Sequence, residues 1–305
     1  MGRLSLSSLA FGLGACSRPL SVDAGRHYHS FGQHNCDIYD LSHFGKTISP
    51  HRKFGRCTRR AITAEYLAQE ANCAVREGPN GIGLYQFGVP TEMADIIPRL
   101  REFGIRYTSY LGFDSFQGLP PEDTDHSQVP PGDVWAPGMF SEVHRRSDKF
   151  KMVKSKNGVQ HYVPQVNDAR PLTVEEAADS WRHELNATGN RIRLVPGFYN
   201  ESLTDELAAN APTALYVDIN CDLYISTLQA LDWLFRHRIA RSGTLISYDD
   251  WYEVPLHNGE SLAHEEIAVK YLVDFEHLPH QSCKQRRRLH WFRVRSVGKH
   301  ANASI

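Results

Sequence analysis

Residues 82–114 of the chain read IGLYQFGVPTEMADIIPRLREFGIRYTSYLGFD. The segment 82–89 is short and almost wholly apolar, which predicts a buried strand. A helix is predicted over 92–103, and a second apolar segment, 107–113, ends at Asp114. The stretch therefore predicts a strand, a helix and a second strand, which is the opening unit of a parallel sheet covered by helices.

The same alternation continues to the end of the chain. Thr173 and Glu176 form a capping box, the pattern in which two side chains cap the backbone at the start of a helix. Further helices are predicted at 226–239 and after Ser261, and further strands at 191–195, 214–219, 244–248, 270–275 and 289–297. We therefore predict an α/β fold with a doubly wound, mostly parallel, Rossmann-like sheet and an antiparallel C-terminal edge.

Composition divides the chain into an extension, a domain and a tail. Residues 1–60 are rich in Arg, His, Ser and Gly and lack periodicity, which predicts an extension with little structure of its own. A domain over 61–298 follows, and 299–305 form a tail. Within the domain, an insertion at about 148–170 contains Asn157-Gly158 between alternating flanks, which predicts a hairpin. Such a hairpin can cover a site as a lid or lie at the periphery.

The first residues bear on the location of the protein. They include Arg3, Arg18 and several serines, with no acid before Asp23. This composition suits a transit peptide to a mitochondrion or plastid, and the alternative is a disordered start of a cytoplasmic protein. No apolar run reaches the roughly 18 residues that a membrane helix needs, so no membrane partner is expected.

Charge and cysteine content narrow the expected partners. The chain has 305 residues, 34 Lys and Arg, 35 Asp and Glu, and a net charge of -1, so it lacks the field that holds nucleic acid. Its 6 cysteines form no CxxC pair, which indicates free thiols in a reducing compartment. We expect a small-molecule partner, and the sequence leaves open whether the protein forms a homo-oligomer.

The first candidate site follows the first two predicted strands. Gln86, Phe87 and Gly88 close the first strand, and Asp114 closes the second. In doubly wound folds, a glycine here lets the backbone approach a ligand, and an acid after the second strand accepts hydrogen bonds from ribose hydroxyls. One glycine turn and one acid also occur in many α/β proteins without this function, so this pattern alone leaves both interpretations open.

A second candidate site follows the fourth and fifth predicted strands. Asn220 and Asp222 lie at one strand end, and Asp249 and Asp250 lie at the next. Because the carboxyl ends of neighbouring parallel strands lie side by side, these side chains can converge. Converging carboxylates need a shared proton or a cation, and Mg²⁺ is the natural hard cation. Solvated loop acids are the alternative.

Five short motifs occur in order along the chain: GFDSFQGLP at 112–120, WAPGMF at 135–140, PGFYNESL at 196–203, DLYIST at 222–227 and DDW at 249–251. Together and in this order they resemble the macrocin O-methyltransferase (TylF-type) family. The resemblance spans about 82–251 and leaves out the N-terminal extension and the hairpin insertion.

The resemblance implies a class I methyltransferase fold, S-adenosylmethionine as methyl donor, Mg²⁺ as cofactor and a hydroxyl, often on a sugar, as acceptor. It implies that Asp222 is the general base and that Asn220, Asp249 and Asp250 occupy the metal positions. The residues that it assigns to the donor pocket are Gln86, Phe87, Gly88, Asp114, Ser115 and Phe116.

The chain departs from the family pattern at two of these positions. Asn220 stands where the family has Asp, which weakens the expected metal site, and Gln86 stands where it usually has Glu, which changes the expected donor contacts. Two other functions therefore stay open. One is a donor-binding protein without activity. The other is a metal-dependent nucleotide-sugar glycosyltransferase, because Asn220-Cys221-Asp222 resembles the Asp-x-Asp motif of that class.

Overall fold

The computed structural model describes residues 63, 66–67, 78–102, 104–122, 135–186, 192–251, 258–278 and 289–298. The predicted extension over 1–60 and the predicted tail over 299–305 lie outside these residues, so their boundaries stay predictions.

The described residues form nine strands, of which seven make the main sheet. The strands are β1 Ile82–Phe87, β2 Ser109–Asp114, β3 Phe150–Lys154, β4 Gln160–Pro164, β5 Ile192–Pro196, β6 Thr213–Ile219, β7 Leu245–Tyr248, β8 Val273–His277 and β9 His290–Val297. The main sheet has the order β5-β2-β1-β6-β7-β9-β8. The first five strands in that order are parallel, and β9 runs antiparallel to both of its neighbours. The predicted fold class, including its antiparallel edge, is confirmed.

The strand order reverses beside β1. From β1 the chain moves outward through β2 to β5, and it then returns to the other side of β1 as β6. In open α/β sheets, ligands bind in the crevice outside the carboxyl ends of the strands at such a reversal. The ends of β2, β1, β6 and β7 are therefore the place to look for a site.

Helices cover both faces of the sheet. They are α1 Thr91–Glu102, α2 Glu142–Arg145, α3 Val174–Asn186, α4 Tyr199–Ser202, α5 Asp205–Ala209, α6 Tyr224–Arg236 and α7 Glu260–Tyr271. The helices α1 and α3 contribute to one buried apolar cluster, and α5, α6 and α7 contribute to a second. Successive β1 residues alternate between the two clusters, since Leu84 belongs to the first and Tyr85 to the second. This alternation follows from the two-residue period of a strand that is buried on both faces.

Two local predictions have different outcomes. The capping box is confirmed, because the Glu176 backbone N–H donates to Thr173 Oγ1 at 3.1 Å and the Thr173 N–H donates to Glu176 Oε2 at 2.7 Å. The strand predicted at 270–275 is wrong in its first half, because α7 continues to Tyr271. Leu272 then ends this helix in the left-handed conformation, with φ of 50°, and only afterwards does the chain extend.

The hairpin predicted around Asn157-Gly158 is present as β3 and β4, which pair in antiparallel register. Gly158 has φ of 92°, a conformation that favours glycine, and the Ser155 N–H closes the turn on the Val159 oxygen at 2.9 Å. No helix in the described part of the chain is long and apolar enough to cross a bilayer.

Candidate functional site

A cavity of about 570 Å³ opens at the carboxyl ends of the parallel strands, within the range that small-molecule sites occupy. All the predicted site residues except Gln86, Phe87 and Phe116 line it, namely Gly88, Asp114, Ser115, Asn220, Asp222, Asp249 and Asp250. The cavity thus brings the two candidate sites of the sequence into one crevice. The hairpin of β3 and β4 contributes no residue to the described lining of this cavity, and its two interpretations, a lid and a peripheral hairpin, both stay predictions.

The three remaining predicted residues lie beneath the cavity. Phe87 is fully buried and stacks on Phe113, with ring centroids 4.8 Å apart. Phe116 has φ of 57° and a buried side chain in the apolar core, and its backbone N–H donates to Asp114 Oδ1. Phe116 therefore orients the Asp114 carboxylate through its backbone.

Gln86 belongs to a buried polar network. Its Nε2 donates to the Val89 oxygen at 2.7 Å and to Asp218 Oδ2 at 3.0 Å, while its Oε1 accepts from the Tyr110 hydroxyl at 3.2 Å. Asp218 Oδ1 also accepts from the hydroxyls of Tyr216 and Ser247, at 2.9 Å and 2.8 Å. Polar groups that are bonded in this way fix the ends of β1 and β6 without facing the cavity.

Gly88 permits the close approach of β1 to the loop after β6. Its φ is 111°, and a Cβ added there would overlap the backbone oxygen of Asn220. The strands are joined at this point because the Asn220 N–H donates to the Phe87 oxygen at 2.9 Å. A side chain at position 88 would separate the two strand ends that form the crevice.

We expect Gly88→Ala to lower the free energy of unfolding by about 3 kcal/mol or more, since backbone strain and a steric overlap coincide. Gly138→Ala is the matched control, because Gly138 also has positive φ, 79°, but its added Cβ meets nothing within 4 Å. Urea unfolding of both variants measures the difference. Equal losses in the two variants would contradict the role of close approach at Gly88.

Asp114 ends β2 at the cavity wall. Its removal from water inside the crevice raises the pKa of its carboxyl to about 7; the hydrogen bond from the Phe116 N–H opposes this shift, and the charge of Glu142 adds to it. The carboxyl therefore titrates near neutral pH. A ligand that donates hydrogen bonds to its ionised form would bind more tightly as the pH rises through this range.

Acidic side chains crowd the other end of the cavity. The pKa of Asp222 is raised well above its ordinary value, first by its removal from water and then by the nearby carboxyl of Asp250, with which it shares a hydrogen bond. Asp249 and Glu260 add further negative charge. Glu260 is fully buried, and its Oε2 accepts the Asp250 N–H at 3.0 Å, which holds the loop after β7 in place.

The whole cavity is strongly acidic. Its only basic lining residue among the described ones is Arg145, and Glu142 Oε1 lies 3.2 Å from Arg145 Nη1. The acids that line it are Asp114, Glu201, Asp222, Asp249 and Asp250. A cationic ligand is therefore favoured over an anionic one.

Sequence reasoning missed part of the cavity wall. Three such residues come from the first two turns of α6, namely Ile225, Ser226 and Gln229, of which the first two belong to the recognised motif at 222–227. Others come from motifs that had been recognised without a role for each residue, such as Leu119, Trp135, Phe140 and Phe198. The sequence did contain a signal for two of these residues: Ser226 and Gln229 are polar and lie three residues apart on a largely apolar helix, which places them on one face.

The cysteine expectation can be checked at one position. Cys221 is the cysteine that the described residues include, and it is a buried free thiol. Burial raises its pKa well above the ordinary value, so the thiol stays protonated and unreactive. The other cysteines lie outside the described residues.

No family model matches the chain, and no curated protein matches it. Three solved structures similar to it are CalS11, a calicheamicin methyltransferase; the O-methyltransferase NovP; and an O-methyltransferase from Bacillus cereus in complex with SAH. CalS11 is 17% identical, with 76% of this chain and 77% of CalS11 covered and a TM-score of 0.48. NovP is 19% identical, with 77% and 79% covered and a TM-score of 0.47. The Bacillus cereus protein is 9% identical, with 79% and 82% covered and a TM-score of 0.43. Similarities this low do not establish a family, so the TylF-type family stays a prediction.

Proposed function

We propose that the protein is an S-adenosylmethionine-dependent O-methyltransferase that acts on a hydroxyl of a small molecule. The observation that carries the proposal is the composition of the cavity lining, in which five acidic side chains stand against one basic side chain. S-adenosylmethionine has a sulfonium and an ammonium against one carboxylate, so its net charge is positive. A nucleotide sugar has a negatively charged diphosphate, which this lining would repel.

The order of the strands separates two halves of the cavity. Asp114 ends β2, Asp222 follows β6, and β1 with Gly88 lies between them. Two strand spacings correspond to roughly 10 Å. In the proposal, Asp114 accepts hydrogen bonds from the ribose of the donor, the donor extends past Gly88, and the acceptor lies beside Asp222.

S-adenosylmethionine, when bound, supplies an electrophilic methyl group. The residues of the chain have two tasks, alignment of the acceptor oxygen and removal of its proton. Asp222 is the proposed base, because its raised pKa makes the ionised carboxylate a stronger proton acceptor than an ordinary aspartate. Only the ionised form of Asp222 can take this proton, because a carboxyl group that is already protonated cannot accept another.

Mg²⁺ has no step in this proposal. Within the part of the chain that the structure describes, no three His, Cys, Asp or Glu side chains are grouped so that they could hold a metal ion. Asn220 adds a neutral amide where a third charge would be needed, and the Glu260 carboxylate anchors the Asp250 backbone. The residues as arranged therefore do not fit the predicted magnesium site.

We expect Asn220→Asp to lower the melting temperature, and we expect Mg²⁺ not to restore it. The variant adds a carboxylate beside Asp222, where crowded acids already raise the pKa, and like charges without a cation destabilise the fold. Thermal melts of both proteins with and without Mg²⁺ measure this. A variant that Mg²⁺ stabilises, and that binds Mg²⁺ more tightly than the wild type, would reinstate the metal site.

Isothermal titration calorimetry of the full chain tests the proposed function directly. We expect binding of S-adenosylmethionine and S-adenosylhomocysteine, and no binding of a nucleotide sugar with or without Mn²⁺. Binding of the nucleotide sugar alone would favour the glycosyltransferase. Donor binding with no turnover on a broad panel of glycosides, phenols and aliphatic alcohols would favour a donor-binding protein without activity.

Donor affinity should increase with pH until the Asp114 carboxyl is ionised. Its pKa in the folded protein is about 7, and the ionised form is the one that accepts two hydroxyl donors. Below that pKa, each fall of one pH unit should weaken donor binding about tenfold, and above it the donor affinity should level off. Titrations between pH 5.5 and about 8.5 measure the profile. Asp114→Asn, which cannot titrate, should flatten it; an unchanged profile in that variant would assign the dependence to another group.

A further inference from the structure

The first two turns of α6 present two polar side chains to the cavity. Ser226 and Gln229 both line it, and their positions three residues apart place them on one face of the helix. Ser226 is 4% exposed, and Gln229 is half-buried. Asp222, the proposed base, precedes this helix by two residues and also lines the cavity.

Neither side chain has a hydrogen-bond partner among the residues that the structure describes. The side-chain hydrogen bonds of the neighbouring segment involve Cys221, Tyr224, the backbone of Ile225 and Trp233, but neither Ser226 Oγ nor the Gln229 amide. A serine inside a helix commonly bonds to the carbonyl four residues earlier, and Ser226 does not. The Ser226 hydroxyl lines the cavity and is not among the buried side-chain atoms that lack a partner, so it is open to the cavity, where a polar ligand group can bond to it.

The position of the pair assigns this group to the acceptor half of the cavity. The helix follows β6, on the Asp222 side of β1, whereas Asp114 lies on β2 beyond β1. A donor that binds Asp114 and extends past Gly88 brings its methyl group to this boundary. Side chains beyond the boundary then contact the acceptor.

We infer that Ser226 and Gln229 bind the acceptor, and that the acceptor carries a second hydroxyl beside the one that is methylated. This inference rests on the proposed function. One hydroxyl must face Asp222 in order to lose its proton. The serine hydroxyl and the glutamine amide can each donate and accept, so they match a neighbouring hydroxyl, which also does both. Neither side chain has a charge that would select an ionic acceptor.

Matched acceptor pairs test the inference on the full-length protein loaded with S-adenosylhomocysteine. The probes are catechol with phenol, cis-1,2-cyclohexanediol with cyclohexanol, and methyl glucopyranoside with its singly deoxygenated analogues. Binding is followed by ligand-observed NMR, and turnover is followed with radiolabelled S-adenosylmethionine. We expect the wild type to prefer the diol of at least one pair by about tenfold, the value of one or two well-placed hydrogen bonds.

Ser226→Ala and Gln229→Met remove the two groups with little change in volume. Each variant should reduce the diol preference to about threefold or less, with unchanged affinity for S-adenosylmethionine. The controls are Ser296→Ala, at an exposed position of β9, and Gln165→Met, at an exposed position next to β4, which make the same chemical changes away from the cavity. These controls should keep the wild-type preference, and thermal melts should confirm that each variant is folded.

The other results overturn the inference. Retention of the diol preference in both cavity variants would show that the pair does not contact the acceptor, and loss of donor affinity in either variant would assign it to the donor. Equal binding of diols and single alcohols by the wild type, or binding of neither, would also reject it. If the wild type does not bind S-adenosylhomocysteine at all, the proposed function fails first, and that result is distinguishable from the others.

Discussion

Asp114→Ala is expected to abolish measurable binding of S-adenosylmethionine while the sheet stays folded. The carboxylate lies at the end of β2 in the cavity wall, and the proposal has it accept both ribose hydroxyls. Hydrogen bonds to a charged group contribute about 1.5 to 3 kcal/mol each, so their loss should weaken binding about a hundredfold or more. Calorimetry on the purified variant measures the affinity, and far-UV circular dichroism checks the fold.

Asp114→Asn separates two roles of the same side chain. The carboxylate also accepts the Phe116 N–H, at a residue whose φ of 57° needs a fixed loop. Asparagine keeps an oxygen for this bond but lacks the charge and offers only one acceptor atom to the ribose. We therefore expect it to melt close to the wild type and to bind the donor with intermediate affinity. Wild-type affinity in the alanine variant would remove Asp114 from the donor site.

The general position of the site could be predicted because it depends on topology. Strand and helix alternation follows from apolar periodicity, and the ligand crevice of a doubly wound sheet follows from the strand order. Once β1, β2, β6 and β7 are recognised, the residues just beyond their ends must meet. Gly88, Asp114, Asn220 and Asp249 lie together for this reason.

The placement of individual side chains was harder to predict, because it depends on a single residue of register. Gln86 and Phe87 belong to the body of β1, so their side chains lie in the layers on either side of the sheet, and Gly88 is the first residue beyond the strand. Phe116 is two residues beyond β2, yet its positive φ turns the side chain into the core. A motif names these positions but does not give their orientation.

The arrangement of the acids was also beyond the sequence. Convergence of Asp222, Asp249 and Asp250 follows from adjacent strand ends, but whether they share a proton or a cation depends on distances of a few tenths of an ångström. Glu260 changes this arrangement because it holds the Asp250 backbone from a helix that begins ten residues later. Its role depends on tertiary packing, for which the sequence carries no local signal.

Asp222→Asn is expected to remove most turnover, by a factor of about 10² to 10⁴, with donor affinity unchanged. The substitution keeps the size of the side chain and removes its capacity to take a proton from the acceptor. Asp222 has φ of 62°, and asparagine is among the few residues that adopt this conformation readily, so the backbone should not move. Alanine at this position would add strain and confuse the interpretation. The turnover measurement uses the acceptor identified by the panel, and calorimetry gives the donor affinity.

Stability should change in the opposite direction from activity in this variant. The folded-state pKa of Asp222 is raised, so the folded protein keeps a proton that the unfolded chain releases at lower pH. The free energy of unfolding therefore falls as the pH rises above the ordinary range of an aspartic acid, until the folded-state pKa is reached. The neutral amide removes this cost, and the variant should therefore melt above the wild type at pH 8. Asp205→Asn is the matched control, because Asp205 is 83% exposed and does not line the cavity; it should change neither turnover nor donor affinity. A residue that is kept at the expense of stability has a functional reason to be there.

If Asp222→Asn instead loses donor affinity in proportion to its rate, Asp222 belongs to the donor site and the base must be sought among its neighbours.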